Sequence, residues 1–176
     1  QGVDCPATIL DMLNEQLTNT FNKENTSAQN RNAEVNDGMD LSLCVIDYQK
    51  RMVEYAGANN SLYLVRDNEL ETFDGNRMAI GFREPSGKFT KQQISLYDND
   101  ILYLFSDGYT DQFGGADGKK FKYRRFRHLL LNIHKMPMED QKAILHQKME
   151  EWMGDSYDQI DDMLLIGIKP IQNTLA

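Results

Sequence analysis

The sequence predicts an α+β fold with mainly antiparallel sheets, and three observations carry that prediction. Short apolar runs with period-two patterning fill residues 41–105, two helical patterns follow, and one apolar run closes the order. Asp47-Tyr48-Gln49-Lys50 and Arg66-Asp67-Asn68-Glu69 separate neighbouring runs with residues that suit hairpin turns. No internal repeat interrupts this order.

Pro6 suits a first helical turn and Asp4 suits its cap. Ala7, Ile9, Leu10, Leu13, Leu17 and Phe21 follow at helical spacings, which predicts a helix over 5–21. From Asn22 to Asn36 the chain turns polar, with five asparagines, and reads as a surface loop. A loop this long calls for a functional or disordered origin. Residues 1–36 are thus a helix plus a polar Asn-rich loop, and 37–176 form the main body.

In that body, Leu41–Ile46, Met52–Tyr55, Leu62–Val65, Ile94–Leu96 and Ile101–Phe105 read as strands. Helices are expected over 123–134 and 137–153. In the second, Met138, Ile144, Leu145, Met149 and Trp152 form the apolar face, and Gly154 ends it. Met163–Ile168 is a final, almost wholly apolar strand, as expected in a buried sheet position.

The 176 residues carry 19 Lys and Arg against 27 Asp and Glu, a net charge of −8. A surface of that sign repels phosphate backbones, which argues against nucleic-acid binding, and it is compatible with cation sites built from carboxylates. No apolar stretch approaches the roughly 18 residues of a membrane span. No signal peptide opens the chain, and Gln1 stands where a Met would start a complete protein, so a processed or excised chain is expected. Two cysteines, Cys5 and Cys44, are too few for a disulfide scaffold and read as reduced and structural, which fits a cytoplasmic location.

The strongest chemical feature is Ile101-Leu102-Tyr103-Leu104-Phe105-Ser106-Asp107-Gly108-Tyr109-Thr110-Asp111. A buried strand ends in a carboxylate, and the glycine after it lets the backbone turn sharply. Alone, such an Asp reads as a cap of the turn. A second strand repeats the pattern, because Asp161-Asp162 stand directly ahead of the last apolar run. Adjacent like charges cost free energy unless a cation or donors hold them. Acids at the mouths of two strands suit a hard divalent ion, with solvated turn acids as the alternative.

Phe105-Ser106-Asp107-Gly108-Tyr109-Thr110-Asp111 and Asp161-Asp162-Met163 resemble the last two acidic motifs of the metal-dependent (PPM, type 2C) serine/threonine protein phosphatases. The resemblance is to the stage II sporulation protein E-like bacterial branch in particular. Tyr55-Ala56-Gly57-Ala58-Asn59-Asn60-Ser61-Leu62-Tyr63-Leu64 is similar to that branch's strand-turn-strand. Asp37-Gly38-Met39-Asp40-Leu41, Met78-Ala79-Ile80-Gly81, Gln112-Phe113-Gly114-Gly115 and Gly118-Lys119-Lys120-Phe121 also fit in order. The match covers about 37–169.

The resemblance implies part of a four-layer αββα sandwich, two Mn²⁺ or Mg²⁺ ions, and hydrolysis of phosphoserine or phosphothreonine on a regulatory protein. The setting it implies is bacterial signalling or sigma-factor control, with an anti-anti-sigma-type regulator as a fitting substrate. By the same resemblance, Asp107 and Asp161 are metal ligands and Asp162 takes the place where eukaryotic relatives usually have Asn. Asp111 falls near the third, weaker ion of some bacterial members, and Gly108 makes the turn at the site.

Two earlier family motifs, an acidic strand and an aspartate-glycine followed by histidine-glycine, are not found. Residues 37–176 therefore resemble the C-terminal portion of the catalytic domain, lacking the Asp that bridges both ions. Little or no activity is expected of this chain alone, and strand edges left open are expected to favour a homodimer. A non-catalytic interaction module is the alternative.

Lys119–His128 interleaves six basic residues with Phe121, Tyr123 and Phe126. Such a run could meet a substrate phosphate or an acidic partner, or be a solvated helix face with its aromatics in the core. His128, His134 and His146 lack zinc-site spacing and read as surface residues, whereas Tyr103 and Tyr109 read as core.

Overall fold

A computed structural model describes residues 4–27, 38–81 and 87–169. In chain order the elements are α1 (Pro6–Ser27), β1 (Leu41–Asp47), β2 (Met52–Ala58), β3 (Leu62–Arg66), β4 (Glu69–Phe73), β5 (Gln92–Ser95) and β6 (Ile101–Phe105). Then come α2 (Gly108–Asp111), β7 (Phe113–Gly114), β8 (Lys119–Lys120), α3 (Lys122–Ile133), α4 (Met138–Met153) and β9 (Leu165–Ile168). They fall into two compact units, Gln1–Leu62 with Phe73–Leu96, and Tyr63–Thr72 with Tyr97–Ala176. No helix among the described residues is long and apolar enough to cross a membrane.

The first unit lays α1 against a three-stranded sheet ordered β1-β2-β5. The predicted turn at Asp47–Lys50 forms, with the Lys50 amide donating to Asp47 Oδ1 at 2.9 Å. It sets an antiparallel register from Leu41 opposite Ala58 to Asp47 opposite Met52. Ala7 and Leu10 of α1 pack with Ala56, Ala58, Ile80 and Phe89, so the small residues of β2 admit the helix closely. Polar locks reinforce this packing: Asn14 Oδ1 accepts the Gly81 amide at 2.8 Å and Asp11 Oδ1 the Phe89 amide at 2.9 Å. Met39 and Ile80 exchange backbone hydrogen bonds of 2.8 and 2.9 Å, which joins two of the motif segments.

Helix α1 runs to Ser27, past the expected end at residue 21. Once a helix is nucleated, each added residue gains a hydrogen bond without needing an apolar partner, and Lys23 and Glu24 propagate helix well. The remainder of the expected loop, 28–36, lies outside the described residues.

Both thiols belong to this unit and are free. Burial pushes the Cys44 thiol up to about 12. Hydrogen bonding from the Thr8 backbone holds Cys5 below the ordinary thiol value. Because the thiolate is the nucleophile, Cys5 is expected to react with Ellman's reagent at pH 8 while Cys44 does not. One equivalent should be released from the native protein and two after denaturation; rapid release of two from the native chain would contradict this.

The second unit has a four-stranded sheet ordered β4-β3-β6-β9 and carries α3 and α4. An aromatic cluster fills its core: the Phe105 ring lies 4.6 Å from Tyr63 and 5.1 Å from Phe126, and Tyr109 lies 5.3 Å from Phe121. Tyr103 and Tyr109 are core residues as expected. Their buried hydroxyls are satisfied by α4, through Gln141 Oε1 at 2.6 Å and the Leu145 carbonyl at 2.9 Å. At the other end of β6, Arg66 makes a two-pronged contact with wholly buried Asp100, with Nε–Oδ1 at 2.8 Å and Nη2–Oδ2 at 2.7 Å.

One strand goes unread in the sequence and one expectation needs correction. Strand β4 is not evident as an apolar run, because an edge strand needs only Leu70 against the core to hold its place. The last apolar run, expected in a buried sheet position, lies at a sheet edge and is partly exposed. Strand β9 pairs with β6 on one side, and Leu164 and Ile166 remain 58% and 44% exposed. Apolar composition predicted burial on both faces, but among the described residues nothing covers one of them.

Candidate functional site

Strand β6 is buried through Ile101, Leu102 and Tyr103, and its end delivers Ser106 and Asp107 to the surface of the second unit. Asp107 stands at the start of the short helix α2. Its side chain makes no capping hydrogen bond, whereas its carbonyl accepts the Thr110 and Asp111 amides at 2.9 Å each. The turn is therefore closed by backbone.

Ser106 joins the two acidic motifs. Its hydroxyl donates to the Asp162 carbonyl at 2.7 Å and accepts the Leu164 amide at 2.9 Å. The Ser106 amide donates to the Leu164 carbonyl at 2.9 Å. These bonds extend the β6–β9 pairing by one step and seat the Asp161-Asp162 backbone against the Asp107-Gly108 turn. The approach is close enough that a Cβ on Gly108 would lie 2.5 Å from the Asp162 carbonyl oxygen. That contact, not a special φ, is why glycine is required there.

The Gly108→Ala variant is expected to push Asp161-Asp162 away from Asp107, because the obstacle is backbone and cannot rotate aside. The cost should be about 1–3 kcal/mol, the range for overpacking a fitted site. Chemical denaturation measures it; an unchanged midpoint would show that the segment yields without cost.

Gln112 is the second anchor and one that sequence reasoning did not assign a role. It is wholly buried, and its Nε2 donates to the Asp158 carbonyl at 2.8 Å and the Phe113 carbonyl at 3.1 Å. Its Oε1 accepts the Ile160 amide at 3.2 Å. The Gln112 carbonyl in turn accepts Trp152 Nε1 at 3.0 Å, so α4 braces the same loop. A glutamine two residues before Gly114-Gly115, directly after an acidic turn, is the signal that could have marked it. Ser106 was legible only as a neighbour of Asp107.

The four predicted acids have different surroundings. Asp161 and Asp162 are exposed, Asp161 Oδ1 accepts the Asp162 amide at 2.7 Å, and Gln159 Nε2 donates to the Asp161 carbonyl at 2.7 Å. Asp111 is half-buried and its Oδ2 pairs with Lys120 Nζ at 2.7 Å, which ties α2 to β8. Backbone packing thus brings Asp107 together with Asp161-Asp162, while Asp111 is engaged by a lysine. Among the described residues, no three His, Cys, Asp or Glu side chains converge to hold an ion. These carboxylates are right in kind for a hard divalent cation and short in number.

A profile of the stage II sporulation protein E (SpoIIE) family matches residues 1–170. No curated protein sequence matches the chain. Among solved structures, it is similar to the SiaA-PP2C domain of Pseudomonas aeruginosa, with 24% identity and a TM-score of 0.72 over 92% of this chain and 69% of that one. It is also similar to the phosphatase domain of the cell-fate determinant SpoIIE from Bacillus subtilis, with 12% identity and a TM-score of 0.57 over 99% and 77%. A third likeness is to the RsbU and RsbW domains of a Mycobacterium tuberculosis protein, with 14% identity and a TM-score of 0.59 over 86% and 45%. One B. subtilis structure in this group was presoaked with manganese. The fold shared with these structures is the type 2C phosphatase fold. With the profile spanning nearly the whole sequence, the chain belongs to the stage II sporulation protein E family.

Proposed function

We propose that this chain is part of a domain that hydrolyses phosphoserine or phosphothreonine on a regulatory protein, with Mn²⁺ or Mg²⁺ held by Asp107 and Asp161. The observation that carries the reading is the Ser106 bridge, which fixes the Asp161-Asp162 segment beside the Asp107 turn. Asp162 stands next to the ligand pair, and Asp111 is available to a weaker ion only if it leaves Lys120. Ions of this type supply Lewis acidity and an activated water to phosphoryl transfer. Residues 37–176 are read as the later portion of the catalytic domain, and the missing carboxylates as contributed from outside the described residues. An anti-anti-sigma-type phosphoprotein in the bacterial cytoplasm is the substrate class this reading favours.

One observation favours a second reading, a non-catalytic interaction module: the described residues do not form a metal-binding cluster. Hydrolysis of p-nitrophenyl phosphate and of a phosphoserine peptide, followed with and without Mn²⁺, separates the two. The enzyme reading expects manganese-dependent turnover by the chain extended with its upstream segment, and little by the 176 residues alone. Metal-dependent turnover by the short chain would overturn the incompleteness, and none by the extended one would favour the module.

A further inference from the structure

The charge of this chain is segregated. Between Gly118 and Met138 there are seven Lys or Arg residues and no Asp or Glu. The rest of the chain sets 12 basic against 27 acidic side chains, a net −15. The structure places most of this basic run on α3. Phe126, Leu130 and Ile133 are its buried face, so helical spacing turns Arg124, Arg125, Arg127 and His128 outward. Lys122, Arg124, Arg125, Arg127 and His128 are all exposed.

These cations are not spent on internal ion pairs. Lys119 and Lys120 pair with Asp117 and Asp111. Among the described residues, Lys122, Arg124, Arg125 and Arg127 have no carboxylate partner. Two of them are nonetheless held in place. The Arg125 guanidinium lies 4.6 Å over the Trp152 ring and donates to the Phe121 carbonyl at 3.3 Å, and Arg127 lies 5.6 Å over Tyr63. A guanidinium stacked on a ring keeps its outer N–H edge free and loses less freedom when it meets a carboxylate.

We propose that the outer face of α3 is a docking surface for a short carboxylate-rich protein segment, independent of the phosphatase reading. Charge complementarity calls for an anion, and the extent of the patch selects its size. A 12-residue helix is about 18 Å long, which matches about six extended residues. Asp117 precedes the basic run, and Glu139 and Asp140 begin α4 directly after it. A longer polyanion or a lipid sheet would meet those acids, whereas a short acidic segment would not. The apolar face of α3 is buried in the core, and exposed Tyr123 alone is too little to insert into a bilayer.

Fluorescence anisotropy of a labelled hexaglutamate peptide with the 176-residue chain tests this, with hexaglutamine as control. Binding is expected for hexaglutamate only and should weaken as salt rises. The Arg124→Glu/Arg127→Glu variant should weaken it about tenfold, and Lys88→Glu in the first unit less than twofold. If that reversal fails to fold by circular dichroism, Lys122→Gln/Arg124→Gln leaves both stacked arginines in place and should weaken binding about fivefold. Absent binding, or binding equal in all folded variants, overturns the proposal. So does tighter binding of a 15-nucleotide single strand or of phosphatidylserine vesicles. Concentration-dependent dimerisation that the same substitutions abolish would instead assign the face to a second copy of this chain.

Discussion

Asp107→Asn and Asp161→Asn are each expected to lower manganese-dependent phosphate-ester hydrolysis by the extended domain about 100-fold or more. Even second-sphere partners of a metal site are worth 10–100-fold, and these carboxylates are proposed as direct ligands. Asn keeps the size and one oxygen of Asp but loses the negative charge that binds a hard cation. Neither substitution removes a main anchor of the site: the Asp107 carbonyl closes its turn, Ser106 holds the Asp161-Asp162 backbone, and Asn at 161 keeps an oxygen to accept the Asp162 amide. Thermal unfolding should therefore stay within a degree or two of the parent while turnover collapses. Raising Mn²⁺ should recover part of the loss if the defect is ligand affinity. Unchanged turnover in both variants would remove these residues from the site.

Arg66→Ala is expected to destabilise the second unit by about 3–5 kcal/mol, the cost of stranding a buried charge. Asp100 is wholly buried and receives two hydrogen bonds from the Arg66 guanidinium. The remaining bond, from the Tyr97 amide to Oδ2 at 2.8 Å, cannot offset a desolvated carboxylate. Arg66 also stacks 4.3 Å over the Tyr97 ring, so the truncation removes a packed surface as well as a charge. The melting temperature should fall by about 10 °C for a domain of this size. A second change, Asp100→Asn on the Arg66→Ala background, should restore part of the stability because it removes the stranded charge. Additive losses would show that the two groups act independently.

Much of this architecture is legible in the sequence because it depends on local periodicity. Strand β6 matches its expected bounds, Ile101–Phe105, and α3 and α4 fall within a residue of theirs. What periodicity does not hold is context. An apolar run such as Met163–Ile168 satisfies the pattern of a buried strand whether or not anything lies beside it, and β9 is at an edge with Ile166 exposed. A run such as Glu69–Phe73 is too polar to announce itself, yet it pairs because β3 offers it an edge.

The sequence by itself marked Asp107, Asp111, Asp161 and Asp162 as candidates, by their positions at strand ends and by motif order. Only the tertiary structure set their chain segments side by side. Residues 107 and 161 lie far apart along the chain, and their approach is produced by β6–β9 pairing, the Ser106 bridge and the buried Gln112. Those contacts are hydrogen bonds between backbone and small polar side chains, which leave no periodic trace. The same limit separated Asp111 from the other three, since its capture by Lys120 depends on how the β7–β8 hairpin folds back onto α2. Composition along one element can specify a face, but a site is made by the meeting of elements, and that is fixed by packing in three dimensions.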